Sequence, residues 1–203
     1  MSQTEKIKSA VERSTKALSL KPSLGVGTGI SKTKIKNGLL CEIEEGKWNF
    51  AVDMPESSGG TALAPTPGVL GRAALGSCLA ITYMIKAAQM NVDIASLEVE
   101  VQADYNHGGL FGTADVPPGY SEVRYKVTIE SDASEEDIMR MLDDADQHSP
   151  YLYIFAGAQA CKREVEIVSP KPHLQWTPHY NDGCNATAGT EPLSTMKISG
   201  KAS

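Results

Sequence analysis

The chain is poor in cysteine and has no excess of basic residues. Its four cysteines show no paired CxxC spacing, and its formal net charge of −6 offers nucleic acid and anionic membranes no broad attraction. The N-terminal stretch has no apolar signal core, and its acidic Glu5 and Glu12 are unlike a transit peptide. We therefore predict a cytoplasmic protein with reduced thiols, without a nucleic-acid or membrane partner, a metal or a cofactor.

Charge is also absent from the middle of the chain, between Arg72 and Lys86. Thr66 followed by Pro67 is a typical helix start, because threonine caps helices and proline is tolerated at the first helical position. Apolar residues on every face predict a buried helix. This stretch is shorter than the about 20 apolar residues that a membrane span needs. The sequence therefore predicts a buried central helix over residues 66–90, with Cys78 in its middle.

Alternating apolar and polar residues predict strands on both sides of this helix. Residues 27–53 read as a three-stranded antiparallel meander, in which Asn37-Gly38 is a strong hairpin turn. Residues 97–105 and 122–129 read as a second hairpin. Antiparallel runs of strands, without regular alternation of strand and helix, favour an α+β fold.

The remaining segments carry weaker signals. The loop from His107 to Tyr120 either lines a site or is a hairpin tip. Ser134 is expected to cap a second helix that ends before Pro150, followed by a helical turn and a last strand over residues 164–168. We divide the chain into an amphipathic N-terminal helix (1–22), an α+β domain (23–168) and a Pro/Gly-rich tail (169–203) that is extended, partly disordered or wrapped over a neighbour.

Two motifs resemble those of a known family. The stretch PGVLGRAALGSCLAIT, around Cys78, resembles the helix motif of the OsmC/Ohr family, in which a proline opens an alanine-rich helix carrying the peroxidatic cysteine. The stretch HSPYLYIFAGA resembles the segment with the family's second cysteine, which is followed by proline. The resemblance covers residues 25–168 and implies an intertwined homodimer, with a curved antiparallel sheet around two central helices in each subunit. Peroxide-active members reduce organic hydroperoxides through the two cysteines.

The resemblance carries over to only part of the peroxidase machinery. Cys78 takes the peroxidatic position, whereas Ser149 stands at the position of the second cysteine and cannot form a disulfide. In peroxide-active members, a glutamate just after the helix-opening proline and an arginine from the N-terminal hairpin hold the thiolate. Gly68 stands at the position of that glutamate. The family's arginine has no counterpart, because the chain between Leu24 and Asp53 contains only lysines as basic residues. The site residues that the resemblance implies are therefore Cys78 and Ser149.

A thiol reacts as its thiolate, so a reactive Cys78 needs a nearby cation or hydrogen-bond donor. The candidates are Arg72, His148 and the lysines of the N-terminal hairpin. Arg72 lies about 120° from Cys78 around the helix and is expected to face another subunit if it acts. Ser149 also has a plain structural interpretation, as the N-cap of a helix with Pro150 at the next position.

Three hypotheses about function follow. The first is a redox enzyme with thiol peroxidase or peroxiredoxin-like activity, which reduces organic hydroperoxides through Cys78 and an external thiol, or with Cys161 as the resolving residue. The second is a degenerate dimer that binds a small hydrophobic or thiol ligand in its interface pocket. The third is an interaction protein in which Cys78 is only a core residue.

The tail residues His173, His179 and Cys184 match no zinc pattern.

Overall fold

The computed structural model describes residues 2–168, which form α-helices and antiparallel strands. This confirms the α+β fold class. In chain order the elements are α1 (Gln3–Leu20), β1 (Lys32–Asn37), β2 (Leu40–Glu45), β3 (Trp48–Val52), α2 (Pro67–Met90), β4 (Ser96–Tyr105), α3 (His107–Phe111), β5 (Tyr120–Glu130), α4 (Glu135–Gln147) and α5 (Pro150–Ala156). The predicted tail and its His173, His179 and Cys184 lie outside the described residues.

The first sheet is the predicted meander, in the order β1-β2-β3. Gly38 has a φ of +56°, the left-handed conformation that the Asn37-Gly38 turn requires. Directly opposed residues share a face of the sheet. One face is therefore apolar, and it carries Ile35, Cys41, Ile43, Phe50 and Val52.

Much of this apolar face is exposed to solvent in the single chain. Ile35 is 56% exposed and Phe50 47%, and Trp48 at the sheet's end is 65% exposed. Val52 is the only member of the face that is buried. Exposed apolar faces of this size are typical of surfaces through which proteins interact.

The second sheet is a long hairpin of β4 and β5, which packs against α2 together with α4. Its alternating pattern puts one row of apolar side chains against the helices. Gly76 allows a close approach of α2 to this sheet, since a Cβ there would lie 3.3 Å from Val101 Cγ2. The core of the described residues is made of Leu75, Leu79, Tyr83, Ala87, Val92, Met141 and Ala145.

Helix α2 begins and ends at the predicted residues. Thr66 accepts a hydrogen bond from the Val69 amide, Pro67 occupies the first helical position, and Asn91 closes the helix in a left-handed conformation. Only one side of the helix is buried, however, and Ile81 is 61% exposed. The prediction of burial on every face is therefore wrong for the single chain. In the single chain, the second sheet and helices α1, α4 and α5 contact α2 and leave part of its surface exposed.

The predicted N-terminal helix is present as α1. Its first turn has a capping box, in which Ser2 and Glu5 satisfy each other's backbone amides. Helix α1 packs on α2, and the Lys8 ammonium donates to the Asn91 side-chain oxygen at 2.5 Å. The helix therefore covers part of α2 near that helix's C-terminal end.

One further sequence-based expectation differs from the structure. Residues 164–168 have no regular secondary structure, although they were predicted to be a strand. A strand needs a neighbour for its ladder of hydrogen bonds, and an alternating pattern does not supply one. The loop from His107 to Tyr120 contains the short helix α3, so part of it is regular.

Helix α2 is long and apolar enough to cross a membrane, judged by length and composition alone. The helix has 24 residues and is therefore longer than the uncharged stretch between Arg72 and Lys86, from which we predicted that it does not span a membrane. Leu75 and Leu79 are fully buried against the rest of the fold. The core helix of a folded domain can have the same length and composition as a membrane span.

Candidate active site

The two predicted site residues lie side by side. The Cys78 sulfur is 3.6 Å from the Ser149 hydroxyl oxygen, and either atom can be the donor. Ser149 is buried, with 2% of its surface exposed, whereas Cys78 is half-buried. The structure therefore joins two residues that are 71 positions apart in the chain.

Local hydrogen bonds hold both residues in place. The Thr82 hydroxyl donates to the Cys78 carbonyl oxygen at 2.7 Å, within α2. Ser149 is the N-cap of α5, and its hydroxyl accepts from the Leu152 amide at 3.5 Å, with Pro150 at the first helical position. The structural interpretation of Ser149 as a helix cap is therefore confirmed.

This arrangement suits a single reactive sulfur. Because the Ser149 oxygen already accepts a backbone amide, its hydroxyl hydrogen is available to the Cys78 sulfur. A hydrogen bond donated to a thiolate stabilises the reactive form. A serine cannot form a disulfide, so this pair cannot close the bond that two cysteines would form.

The predicted cations contact other groups. The Arg72 guanidinium donates to the Tyr120 hydroxyl at 3.5 Å, and His148 Nδ1 lies 2.6 Å from the Asp144 carbonyl oxygen. Lys36 pairs with Glu42 in the first sheet. Among residues 2–168 of one chain, no cation therefore makes a hydrogen bond to Cys78.

The Gly68 position lies beside Arg72 and Tyr120. A Cβ at Gly68 would be 3.4 Å from Arg72 Nη1 and 3.6 Å from the Tyr120 hydroxyl. That hydroxyl donates to the Gly68 carbonyl oxygen at 3.2 Å, and the Tyr120 ring stacks on Phe155 of α5. Tyr120 thus joins the start of α2 to α5. Tyr120 is the last residue of the loop from His107, for which lining a site was one of the two expectations.

The carboxylate of Asp146, which lies between three elements, was not predicted from the sequence. Asp146 on α4 accepts the hydroxyl of Tyr83 at 2.7 Å and that of Tyr125 at 2.8 Å, one at each carboxylate oxygen. Burial, followed by the bond to this carboxylate, raises the pKa of Tyr125 to about 12. The same causes raise the pKa of Tyr83 further above its usual value. Both tyrosines are therefore neutral hydrogen-bond donors at physiological pH.

A second buried carboxylate organises the loop before α2. Asp53, 1% exposed, accepts the Thr61 hydroxyl and the amides of Met54, Thr61 and Leu63. The Thr61 bond, joined by the amides, lowers the pKa of Asp53 to about 2. The Asp53 amide donates to the Pro65 carbonyl oxygen at 3.1 Å. This carboxylate therefore fixes the path of the chain into α2.

An apolar groove of about 480 Å³ lies between α1, α2 and the start of β4. Its lining includes Ile7 of α1 and Ile81 and Met84 of α2. Cys78 does not line it. The groove and the thiol are therefore separate features of the single chain. Among the described residues, no cluster of side chains is suited to hold a metal ion.

The fold and the cysteine helix agree with comparisons to known proteins. The family model described as OsmC-like protein matches residues 59–163. An OsmC-like protein from Mycoplasma pneumoniae is similar in structure, with a TM-score of 0.56 and 17% identity, over 64% of this chain and 89% of that chain. An organic hydroperoxide resistance protein OsmC from Legionella pneumophila has a TM-score of 0.50 and 17% identity, over 65% of this chain and 91% of that chain. No curated protein sequence matches the chain. Because the family model spans half of its length, the chain belongs to the OsmC-like protein family.

Proposed function

We propose that this protein reduces organic hydroperoxides through Cys78 alone, with an external thiol as the reductant. The observation that carries the proposal is the 3.6 Å contact between the Cys78 sulfur and the buried Ser149 hydroxyl. The name of the Legionella pneumophila protein, an organic hydroperoxide resistance protein, supports the choice of substrate class.

The first step oxidises the sulfur. The Cys78 thiolate attacks the terminal oxygen of the hydroperoxide, the O–O bond breaks, and its electron pair leaves with the alkoxide, which takes a proton to become the alcohol. Cys78 becomes a sulfenic acid. The Ser149 hydroxyl donates to the thiolate before this step, which favours the attacking form.

The second half of the cycle needs two molecules of an external thiol. The first attacks the sulfenic sulfur and forms a mixed disulfide, while the oxygen leaves as water. The second attacks the sulfur of the bound thiol, and the Cys78 thiolate leaves. Ser149 cannot supply the second sulfur, so in this route the external thiol supplies it.

We propose that the protein acts as a homodimer. The apolar face of the first sheet and the outer side of α2 are both exposed in a single chain, with Ile35 at 56% and Ile81 at 61%. A second copy that covers these surfaces would remove them from water. The dimer also offers a source of a cation for Cys78, as Arg72 or a hairpin lysine of the partner copy.

The test compares hydroperoxide consumption by the full chain and two variants. With tert-butyl hydroperoxide and reduced glutathione, we expect turnover by the natural chain and none by Cys78→Ser. Cys161→Ser is the matched control, because Cys161 is exposed and outside the proposed step. Equal turnover by Cys78→Ser would overturn the proposal, and loss of turnover in Cys161→Ser would instead make Cys161 the resolving residue.

The second candidate is a degenerate dimer that binds a small hydrophobic or thiol ligand. The observation in its favour is that no cation of the described chain makes a hydrogen bond to Cys78. If the natural chain consumes no hydroperoxide, binding of an alkyl thiol such as octanethiol is measured by the shift in unfolding temperature. A rise that persists in Cys78→Ser would support non-covalent binding.

Location and domain division stay predictions. The cytoplasmic location follows from composition and from the lack of paired cysteines. The division at residues 22 and 168 follows from changes in sequence pattern. Expression with a C-terminal fluorescent tag, followed by fractionation, tests the location.

A further inference from the structure

The carboxylate of Asp146 connects the two halves of the candidate active site. Its oxygens accept one tyrosine hydroxyl each, from Tyr83 on α2 at 2.7 Å and from Tyr125 on β5 at 2.8 Å. Three separate elements therefore meet at a single side chain. We call Asp146 with these two tyrosines the carboxylate clamp.

The clamp is attached to both site residues through short stretches of chain. Tyr83 lies on the same helix as Cys78. Asp146 lies in the last turn of α4, and its carbonyl oxygen accepts the Ser149 amide at 3.4 Å. The path from the Cys78 helix to the Ser149 backbone therefore runs through the Tyr83–Asp146 hydrogen bond and one further backbone bond.

Apolar packing alone would hold these elements less exactly in register. Leu79 of α2 and Met141 and Ala145 of α4 are fully buried in the shared core. Hydrophobic burial is non-directional and therefore favours contact without selecting one sliding position. Hydrogen bonds to a carboxylate prescribe distance and angle. The hydrogen bonds of the carboxylate clamp therefore fix the relative position of these elements, which apolar packing alone does not select.

We propose that Asp146, held by Tyr83 and Tyr125, is a positioning residue that keeps the Ser149 hydroxyl against the Cys78 sulfur. The inference rests on the proposed function, since it concerns the geometry of the same pair. It adds a residue that touches neither the sulfur nor the substrate. Removal of either tyrosine hydroxyl leaves the ring in the core and frees one carboxylate oxygen.

The test replaces the natural contact by one whose formation can be timed. The starting variant is the full chain with Ser149→Cys, in which Cys41, Cys161 and Cys184 are replaced by serine and Cys78 is kept. Oxidised glutathione is added, and closure of the 78–149 disulfide is followed by mass spectrometry. Tyr83→Phe and Tyr125→Phe are each introduced into this background. We expect closure to slow by on the order of tenfold, since small displacements of reacting groups cost large factors in rate.

Two control variants separate positioning from general loosening. Tyr105→Phe removes a tyrosine hydroxyl from the exposed end of β4, and we expect no change in the closure rate. Val127→Ala removes core contacts on the same strand as Tyr125 and lowers stability, again with an unchanged rate. The inference is overturned if both tyrosine variants leave the closure rate unchanged. It is also overturned if Val127→Ala slows closure as much as the tyrosine variants do.

A second measurement uses the natural serine. Ser149→Ala is made in the natural chain and in Tyr125→Phe, and the rate of Cys78 alkylation is compared in a double-mutant cycle. If the clamp positions Ser149, the loss of its hydroxyl matters less once the clamp is broken. Additive effects would contradict the inference. Neither measurement uses hydroperoxide, so both outcomes are independent of the test of the proposed function.

Discussion

The Ser149 hydroxyl lies 3.6 Å from the Cys78 sulfur and at the same time caps helix α5 by accepting the Leu152 amide. One buried oxygen thus joins the thiol of α2 to the first turn of another helix. A serine here keeps a polar contact to the sulfur while making a disulfide between positions 78 and 149 impossible. The chemistry of Cys78 therefore depends on partners from outside this pair.

Ser149→Ala removes the hydrogen-bond donor beside the thiol. We expect iodoacetamide alkylation of Cys78 at pH 7 to slow by about threefold to tenfold, because a hydrogen bond to a charged group contributes about 1.5–3 kcal/mol and this contact is long. The control is Ser77→Ala on the exposed side of the same helix, where the hydroxyl bonds only the Ala74 carbonyl oxygen. An equal rate in Ser149→Ala would mean that the hydroxyl does not assist the thiolate.

The apolar face of the first sheet is expected to form a dimer contact. Phe50→Asp places a charge on that face, so we expect sedimentation equilibrium to give the monomer mass of 21.7 kDa for this variant and twice that mass for the natural chain. Asn49→Asp adds the same charge to the opposite face of the sheet, at the position directly across from Glu44, and this variant should stay dimeric. A natural chain that sediments as a monomer would refute the proposed dimer.

Two methionines of α4 differ in burial and permit a matched comparison of stability. Met141 is fully buried, whereas Met139 is 49% exposed. We expect Met141→Ala to lower the free energy of unfolding by about 2–5 kcal/mol, through lost burial and a cavity. Met139→Ala should change it by only about 0.5 kcal/mol. Urea denaturation checks both values, and similar losses would mean that Met139 is covered in solution.

The low pKa of Asp53 predicts a loss of stability in acid. Its pKa is about 2 in the folded chain, against 3.8 for an unperturbed aspartate, so the unfolded state binds more protons between these values. The stabilisation is fully present above about pH 4 and is lost as the pH falls toward 2. In urea denaturation at several pH values, Asp53→Asn should therefore show a weaker decline over this range. A decline as steep as that of the natural chain would assign the effect to other carboxylates.

Most elements of the fold could be predicted because their signals are local. The cap at Thr66 and the Asn37-Gly38 turn act through neighbouring residues, and both appear at the predicted positions. The alternating pattern likewise predicted β4 and β5. Residues 164–168 were predicted wrongly, because an alternating pattern does not supply the neighbour that a strand requires.

The candidate site could be predicted only in part. Cys78 and Ser149 were identified through two motifs that resemble a family, and the structure brings them together. Asp146 and Asp53 were missed, because their partners are a pair of tyrosines from other elements and a loop wound around a carboxylate. Such contacts leave no periodic pattern in the sequence.

The amino-acid sequence by itself determined where the helices and the paired strands lie and which side chains are available for chemistry. Those properties follow from dihedral preferences, capping and hydrophobic period, which act over a few neighbouring residues. The tertiary structure alone decided that Ser149 meets Cys78 and that Tyr83 and Tyr125 share Asp146. The reason is physical: these contacts depend on how α2, α4 and β5 pack in three dimensions, and packing joins residues far apart in the chain.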